Sequence, residues 1–292
     1  MLTQAPISIN WNFTDICNFN CLHCYSRGRP HKAELTVEQQ LDIARKIAES
    51  HVFIVNFGGG EPLLIYENLL PVIQTLSSAN VATYVSTNAW HINENLLKKL
   101  KTSGLTGFYV SLDSLNADIH DYIRRKRGCF NQVMKRLDQI YNYGFKLGLS
   151  TVISKYNWKE LDSIISFAIC KHCNMISLKR FRPVGNGNTH SQDFVLDSKD
   201  EIELNNFIMH MKDRYANKID IHLVYSDFPQ AKITEGCPCG RTSLGLMPNG
   251  DLKMCVYGSY IIGNLLSDDL QEIWQTHPYL VQNRKHHVCE AL

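Results

Sequence analysis

The sequence predicts an α/β fold of βα units, with parallel strands forming an open or partial barrel. Three observations carry this. Six apolar, β-rich runs, at 7–13, 52–57, 81–86, 107–112, 145–153 and 175–181, alternate with amphipathic segments at 36–50, 66–78, 93–103, 130–143 and 158–171. Strands alternating with helices through short connections are the pattern of a parallel sheet, with right-handed crossovers. The cysteine, glycine and polar motifs fall at the C-terminal ends of those runs, where such folds place their sites.

Each element has a local reason. In the first helix Leu41, Ala44, Ile47 and Ala48 share one buried face, and Thr36 with Gln39 forms a capping box at its start. The glycine run 58–60 follows the second strand, Ser86-Thr87-Asn88 ends the third, and Ser111-Leu112-Asp113 ends the fourth. Arg180 and Arg182 close the sixth. A helix at 197–215 and an extended run at 219–224 complete the barrel region. Residues 244–247 and 252–254 flank Pro248-Asn249-Gly250, a hairpin turn. A further strand near 262–265 and a helix at 270–277 follow.

Composition narrows the function. The chain has 292 residues, 44% hydrophobic and 20% charged, as in an ordinary soluble globular protein of one large domain, or one with a small addition. A net charge of +2 gives no footprint for nucleic acid. No run of apolar residues is long enough to span a membrane, and the N-terminus lacks the pattern of a secretory signal. Ten cysteines without a signal point to reduced thiols and metal, hence to the cytoplasm.

The cysteines carry the chemistry. Cys17, Cys21 and Cys24 share one loop after the first strand, with three residues between the first pair and two between the second. Structural zinc closes four ligands, and here no local fourth exists. A 4Fe–4S cube on three thiolates leaves one iron for an outside ligand. The loop resembles that of the radical S-adenosylmethionine (radical SAM) enzymes, Cys-x3-Cys-x-aromatic-Cys, with His23 in the aromatic slot. The resemblance implies a cluster whose open iron chelates the amino and carboxylate groups of S-adenosylmethionine. An electron then cleaves the sulfonium, and a 5′-deoxyadenosyl radical abstracts hydrogen from the substrate. It also implies that His23 and Tyr25 lie at the cofactor, and that an electron donor such as flavodoxin or ferredoxin serves it.

Other strand ends fit the same family. The run Gly58-Gly59-Gly60-Glu61-Pro62 lacks the spacing of a dinucleotide or phosphate loop. Alone it reads as a tight turn or as a close approach of backbone to ligand. Gly59, Gly60 and Glu61 match the family's Gly-Gly-Glu segment, which binds the methionine amino group, with Glu61 as its charge-assisted acceptor. Ser86 and Asn88 resemble the third-strand contacts. Ser111 and Asp113 resemble the fourth-strand contacts to ribose or carboxylate, although Asp113 equally suits a helix N-cap. The stretch 179–187 resembles the sixth-strand loop of the peptide-modifying branch. Arg180 is preferred over Arg182 as partner of the methionine carboxylate, on the expectation that alternation points only one inward. Arg124-Arg125-Lys126-Arg127 reads as a solvated loop, or as a docking patch for an acidic partner. Cys129, Cys170 and Cys173 read as packing or as a thiol hydrogen-atom donor. The catalytic residues are not identified.

The C-terminal segment resembles the SPASM or twitch extension, which binds an auxiliary 4Fe–4S cluster. Cys237, Gly250 and Cys255 match its Cys-x9–15-Gly-x4-Cys element, and Ile273-Trp274 its Ile-Trp pair. Cys289 follows, but Leu292 stands where another cysteine is expected. Cys239 is then the fourth ligand, or substrate or another group fills the position, or the chain is truncated. The expected division is a barrel over 1–225 and a cluster segment over 226–292.

The expected activity is radical modification of a peptide or protein side chain. The alternative is a small-molecule radical enzyme of cofactor, tetrapyrrole or natural-product biosynthesis, favoured by a first strand that leaves no room for an N-terminal peptide-recognition domain. A non-enzymatic iron–sulfur electron carrier or scaffold is the third reading.

Overall fold

The structure is a computed structural model that describes residues 3–28, 32–223 and 237–286. The six expected strands are present as β1 (Ser8–Thr14), β2 (Ile54–Gly59), β3 (Ala82–Thr87), β4 (Gly107–Ser111), β5 (Lys146–Ile153) and β6 (Met175–Arg180). They lie side by side, all parallel. A seventh, β7 (Asp220–Leu223), adds to β6 in parallel.

The crossovers are α1 (Val37–Glu49), α2 (Tyr66–Ser78), α3 (Glu94–Thr102), α4 (Ala117–Arg124) with α5 (Cys129–Asn142), and α6 (Leu161–Cys170). Short helices α7 (Asn186–Thr189) and α8 (Ser191–Phe194) precede α9 (Ser198–Arg214). The capping box at Thr36 and Gln39 forms as expected. Helix α4 was not expected; it is capped by Asn116, whose side chain accepts from the Asp118 and Ile119 N–H groups.

The C-terminal hairpin forms around Gly250 from β8 (Ser243–Leu246) and β9 (Asp251–Lys253), and β10 (Ile261–Asn264) pairs with β9. Helices α10 (Leu270–Thr276) and α11 (Pro278–His286) follow. β8 runs parallel to β1 along Ser8–Ser243 to Trp11–Leu246. One ten-stranded sheet therefore continues from the barrel into the cysteine-bearing hairpin. The expected boundary at 225/226 and Cys289 lie outside the described residues.

The strands carry two contrasting faces. Ile9, Trp11, Phe13, Val55, Phe57, Val85, Phe108, Val110, Leu147, Leu149, Ile176 and Leu178 are fully buried. With the apolar faces of α1, α2, α3, α5 and α6 they form the main core. Trp11, Phe13 and Phe57 meet edge-on or tilted, with centroids 5.3–5.6 Å apart, within the range of productive aromatic pairs. The alternate positions face inward and are polar: Asn10, Asn12, Asn56, Ser86, Ser111, Ser150 and Lys179. A closed barrel normally packs branched apolar residues there. Here polar side chains line a cavity.

Candidate functional site

The upper cavity, about 200 Å³, opens at the C-terminal ends of β1–β6. Cys17, Cys21 and Cys24 line it together with His23 and Tyr25. Their loop is fixed by backbone contacts. Glu34 receives the Thr14 hydroxyl at 2.9 Å and the Asp15 N–H at 2.7 Å, pinning the loop's start. Arg27 donates to the Cys17 and Phe19 carbonyls at 2.9 and 2.8 Å. Asn186 donates to the Cys21 carbonyl at 3.2 Å, and its own N–H reaches the Arg27 carbonyl at 2.8 Å.

Glycines let the neighbouring loops come this close. Gly59 has φ +101°, and a Cβ there would stand 2.5 Å from the Thr14 carbonyl oxygen. A Cβ on Gly60 would strike the Ile16 carbonyl. Both glycines also line the cavity, and lacking side chains they present only backbone to it.

The donor set fits an iron–sulfur cube. The Phe19 N–H points at Cys17 Sγ at 3.4 Å, the Arg27 N–H at Cys24 Sγ at 3.4 Å, and Ser26 Oγ lies 3.3 Å from Cys24 Sγ. Such donors to sulfur tune bound clusters. Burial pushes the Cys21 thiol up to about 12, with Arg124 opposing, and raises Cys17 likewise. Thiolates at Cys17 and Cys21 are thus costly in this place unless a metal holds them. Among the described residues no three ligand side chains have the geometry of a single-ion site, whereas a cube takes each thiolate on a separate iron.

Of the expected cofactor residues, Gly59, Gly60, Glu61, Ser86, Asn88, Ser111, Arg180, His23 and Tyr25 all line the cavity. Glu61, however, is occupied. Its Oε1 accepts the Thr87 hydroxyl at 2.8 Å and the Leu63 N–H at 3.2 Å, and its Oε2 the Asn88 N–H at 2.8 Å. Burial pushes Glu61 up to about 7 against the pull of those donors. Its carboxylate fastens the glycine loop to the end of β3. Asn88 in turn donates to Asn18 of the cluster loop at 2.9 Å.

Asp113 is corrected from cofactor contact to buried support. It is fully buried and does not line the cavity. Its Oδ2 lies 2.7 Å from Arg124 Nε and 2.9 Å from His23 Nε2, and its Oδ1 accepts the Val152 N–H at 3.1 Å. Burial opposes its charge, but Arg124 and His23 outweigh burial and hold the carboxyl well below the usual carboxylate range. Nor is Asp113 a helix cap; Asn116 takes that role. Arg124 is corrected with it: the basic run is not wholly a solvated loop, because its first arginine is buried and lines the cavity.

The preference for Arg180 over Arg182 also changes. Residues 180 and 182 share parity, so alternation does not separate them, and β6 ends at Arg180. Both line the cavity. Arg180 binds Glu201 and Asn205 of α9, while Arg182 lies over the Tyr257 ring, 6.0 Å from its centroid. Lys179 of β6 lines the cavity as well, and sequence reasoning passed it over.

A second cavity, about 310 Å³, lies deeper in the lumen and reaches Cys237, Cys239 and Cys255. The Cys239 thiol is in hydrogen-bonding contact with both Cys237 and Cys255, and the Tyr257 and Gly258 N–H groups point at Cys255 sulfur. These soft donors fit a second iron–sulfur group. Asn10, Asn56, Ser86, Lys179, Arg182, Val256 and Tyr257 border both cavities. Tyr257 also packs edge-on against Tyr25 at 4.9 Å, joining the two cysteine regions. Of the leftover cysteines, Cys129 is buried beside Cys21 and Phe19, Cys173 is buried in the main core, and Cys170 is exposed.

Sequence reasoning missed Arg124, Lys179, Asn10, Asn12, Asn56 and Tyr257. Asn10 and Asn12 were signalled by the Ser8, Asn10, Asn12 alternation opposite Ile9, Trp11 and Phe13. Nothing local marked the others.

A family model described as the radical SAM superfamily matches residues 11–168, and one described as an iron–sulfur cluster-binding domain, SPASM, matches 237–291. The mycofactocin maturase MftC of Mycolicibacterium smegmatis is 29% identical over 93% of this chain and 71% of its own length. The AdoMet-dependent heme synthase of Methanosarcina barkeri is 24% identical over 94% and 83%. The fold matches Streptococcus suis SuiB, solved with S-adenosylmethionine, at a TM-score of 0.78 and 18% identity, covering 97% of this chain and 68% of that one. The chain therefore belongs to the radical SAM superfamily: it is an enzyme that carries a 4Fe–4S cluster used with S-adenosylmethionine, and its C-terminal segment is of the iron–sulfur SPASM kind.

Proposed function

We propose that this enzyme modifies a peptide side chain by hydrogen abstraction during maturation of that peptide. The carrying observation is a pair of neighbouring cavities that share one wall, the upper lined by Cys17, Cys21 and Cys24 and the deeper reaching Cys237, Cys239 and Cys255. A substrate held there lies between both centres. The reading is supported by similarity to MftC, a maturase, and by the fold shared with SuiB, which has also been solved with its precursor peptide SuiA.

When bound, the reduced cluster and S-adenosylmethionine supply a 5′-deoxyadenosyl radical. The protein's part is to bind, orient and exclude water. Cys17, Cys21 and Cys24 hold the cluster. The backbone of Gly59 and Gly60 meets the methionine amino end, with Glu61 holding the loop in place. Arg124, buried beside Cys21, takes the methionine carboxylate, and Ser111 and Asn88 serve the ribose side. His23 and Tyr25 flank the cofactor. Cys237, Cys239 and Cys255, with Cys289, hold the auxiliary cluster, and the two units are 1–225 and 226–292. The electron donor is a flavodoxin or ferredoxin, and the protein works in the cytoplasm. Among the described residues no helix is long and apolar enough to cross a membrane.

The test is anaerobic reconstitution, followed by iron counting, electron paramagnetic resonance with and without S-adenosylmethionine, and mass analysis of a candidate precursor peptide encoded nearby. Cofactor-dependent spectral change and a mass shift in the peptide, with 5′-deoxyadenosine released, are expected. Full iron with no response to S-adenosylmethionine overturns the radical assignment of the site. Turnover of a small molecule but of no peptide overturns the substrate class.

A further inference from the structure

The deeper cavity reaches three cysteines and three basic side chains. Among its described lining residues are Lys179, Arg182 and His222, but no aspartate or glutamate. The upper cavity is lined by Arg124, Lys179, Arg180 and Arg182 against one carboxylate, Glu61, which three protein donors already occupy. Three of these basic groups have acidic partners, Asp113 for Arg124, Glu201 for Arg180 and Asp220 for His222, and Arg182 lies over the Tyr257 ring.

Lys179 is different. It sits on the wall common to both cavities. Its one hydrogen bond is a long one, 3.4 Å from Nζ to Ser150 Oγ, and it has no ion pair among the described residues. Burial and Arg124 both disfavour its charge, and only Asp113 supports it. A buried ammonium with no carboxylate paired to it is costly. The position becomes favourable when a ligand brings the missing charge. The aromatic side chains Tyr84 and Tyr109, 5.6 Å apart, form another wall of the same cavity. The pocket thus offers two aromatic rings with a cation at its upper rim, matching a group that pairs a ring or short apolar body with a carboxylate.

We propose that the deeper cavity is the substrate pocket and that Lys179 binds a carboxylate of the substrate, an acidic side chain or a chain-terminal carboxylate, at the border with the cofactor cavity. This rests on the upper cavity being the S-adenosylmethionine site. Lys179 fixes the carboxylate, and thereby the carbon near it, at the height where the two cavities meet. Arg124, which lines only the upper cavity, is left to the cofactor.

The test uses reconstituted holoenzyme and four probes: N-acetyltyrosine, N-acetyltyrosinamide, N-acetylaspartate N-methylamide and its asparagine counterpart. Binding is measured calorimetrically, with and without S-adenosylmethionine, on wild type, Lys179→Met and Lys179→Arg. In wild type at least one acid binds about ten-fold tighter than its amide, the scale of one charge-assisted bond. The tyrosine pair reports a terminal carboxylate and the aspartate pair a side chain. Lys179→Met abolishes the preference, and Lys179→Arg keeps most of it. Equal binding of acid and amide in wild type overturns the proposal, as does a preference that survives Lys179→Met. Weakened S-adenosylmethionine binding in Lys179→Met, read from the cluster spectrum, also overturns it, because the lysine then belongs to the cofactor. Failure of wild type to respond to S-adenosylmethionine falls instead on the reading of the upper cavity. Iron content and thermal unfolding of both variants exclude misfolding.

Discussion

The two cysteine regions are built in opposite ways. Cys17, Cys21 and Cys24 lie on a loop that owes its shape to other loops: Arg27 and Asn186 bind its carbonyls, and Gly60 and Gly185 touch its backbone. Cys237, Cys239 and Cys255 belong to a turn and a hairpin whose strand β8 is ladder-bonded to β1, and their thiols contact one another directly. The first region depends on loop-to-loop contact, the second on strand register. The open-iron centre must leave room beside its loop for a ligand, so its support comes from behind. The second set rides on the sheet.

The largest expected effect separates the two outright. Cys17/Cys21/Cys24→Ala should lower iron from about eight to about four atoms per chain and abolish the response to S-adenosylmethionine, since each cube holds four irons. Cys237/Cys239/Cys255→Ala should also lose about four irons but keep that response. Iron analysis with electron paramagnetic resonance checks both. Loss of the cofactor response in the second variant would make the two regions one cooperative unit, and the contrast would fail.

A third variant probes the support behind the loop. Arg124→Met leaves the Asp113 carboxylate buried without its closest cation, and breaking a buried pair in this way costs about 3–5 kcal/mol. Denaturant unfolding should show the loss, and Asp113→Asn added to Arg124→Met should recover part of it. An unfolding midpoint unchanged from wild type would mean that Asp113 and Arg124 do not support each other.

What the sequence disclosed follows the same division. The strands were legible because their outward positions, such as Ile9, Trp11 and Phe13, are apolar and alternate. The triad was legible because three cysteines on one loop carry their spacing with them. Helix α4 was not, since its buried Arg124 sits in a run that looks solvated and its acceptor Asp113 lies eleven residues earlier. The Glu61 carboxylate looked available because its donors, Thr87 and Asn88, come from another strand end. Lys179 beside Arg180 and Arg182 carries no local mark of which cation faces the lumen. Local spacing announces cysteines that share one loop; charge pairing across elements needs the fold.

The smallest expected effect is also the sharpest comparison, because it places the same chemical change on each region. Gly185 has φ +62° and Gly250 has φ +87°, so alanine strains the backbone at both, at about 1–3 kcal/mol each. The surroundings differ. A Cβ at residue 185 would stand 2.6 and 2.7 Å from the carbonyl oxygens of Tyr25 and Cys24, backbone atoms of the cluster loop itself. A Cβ at residue 250 would meet Asn264 Oδ1 at 2.8 Å, a side-chain atom that accepts the Leu266 N–H within the C-terminal segment and lies away from the triad loop. Gly185→Ala should therefore displace the triad loop, slow its reconstitution with iron and broaden its spectrum, leaving the second centre intact. Gly250→Ala should lower the unfolding midpoint by a comparable or smaller amount, with little change at the triad. Equal damage to the triad signal from both variants would show that hairpin register reaches the first centre through β8 and β1, and that loop contacts alone do not hold it.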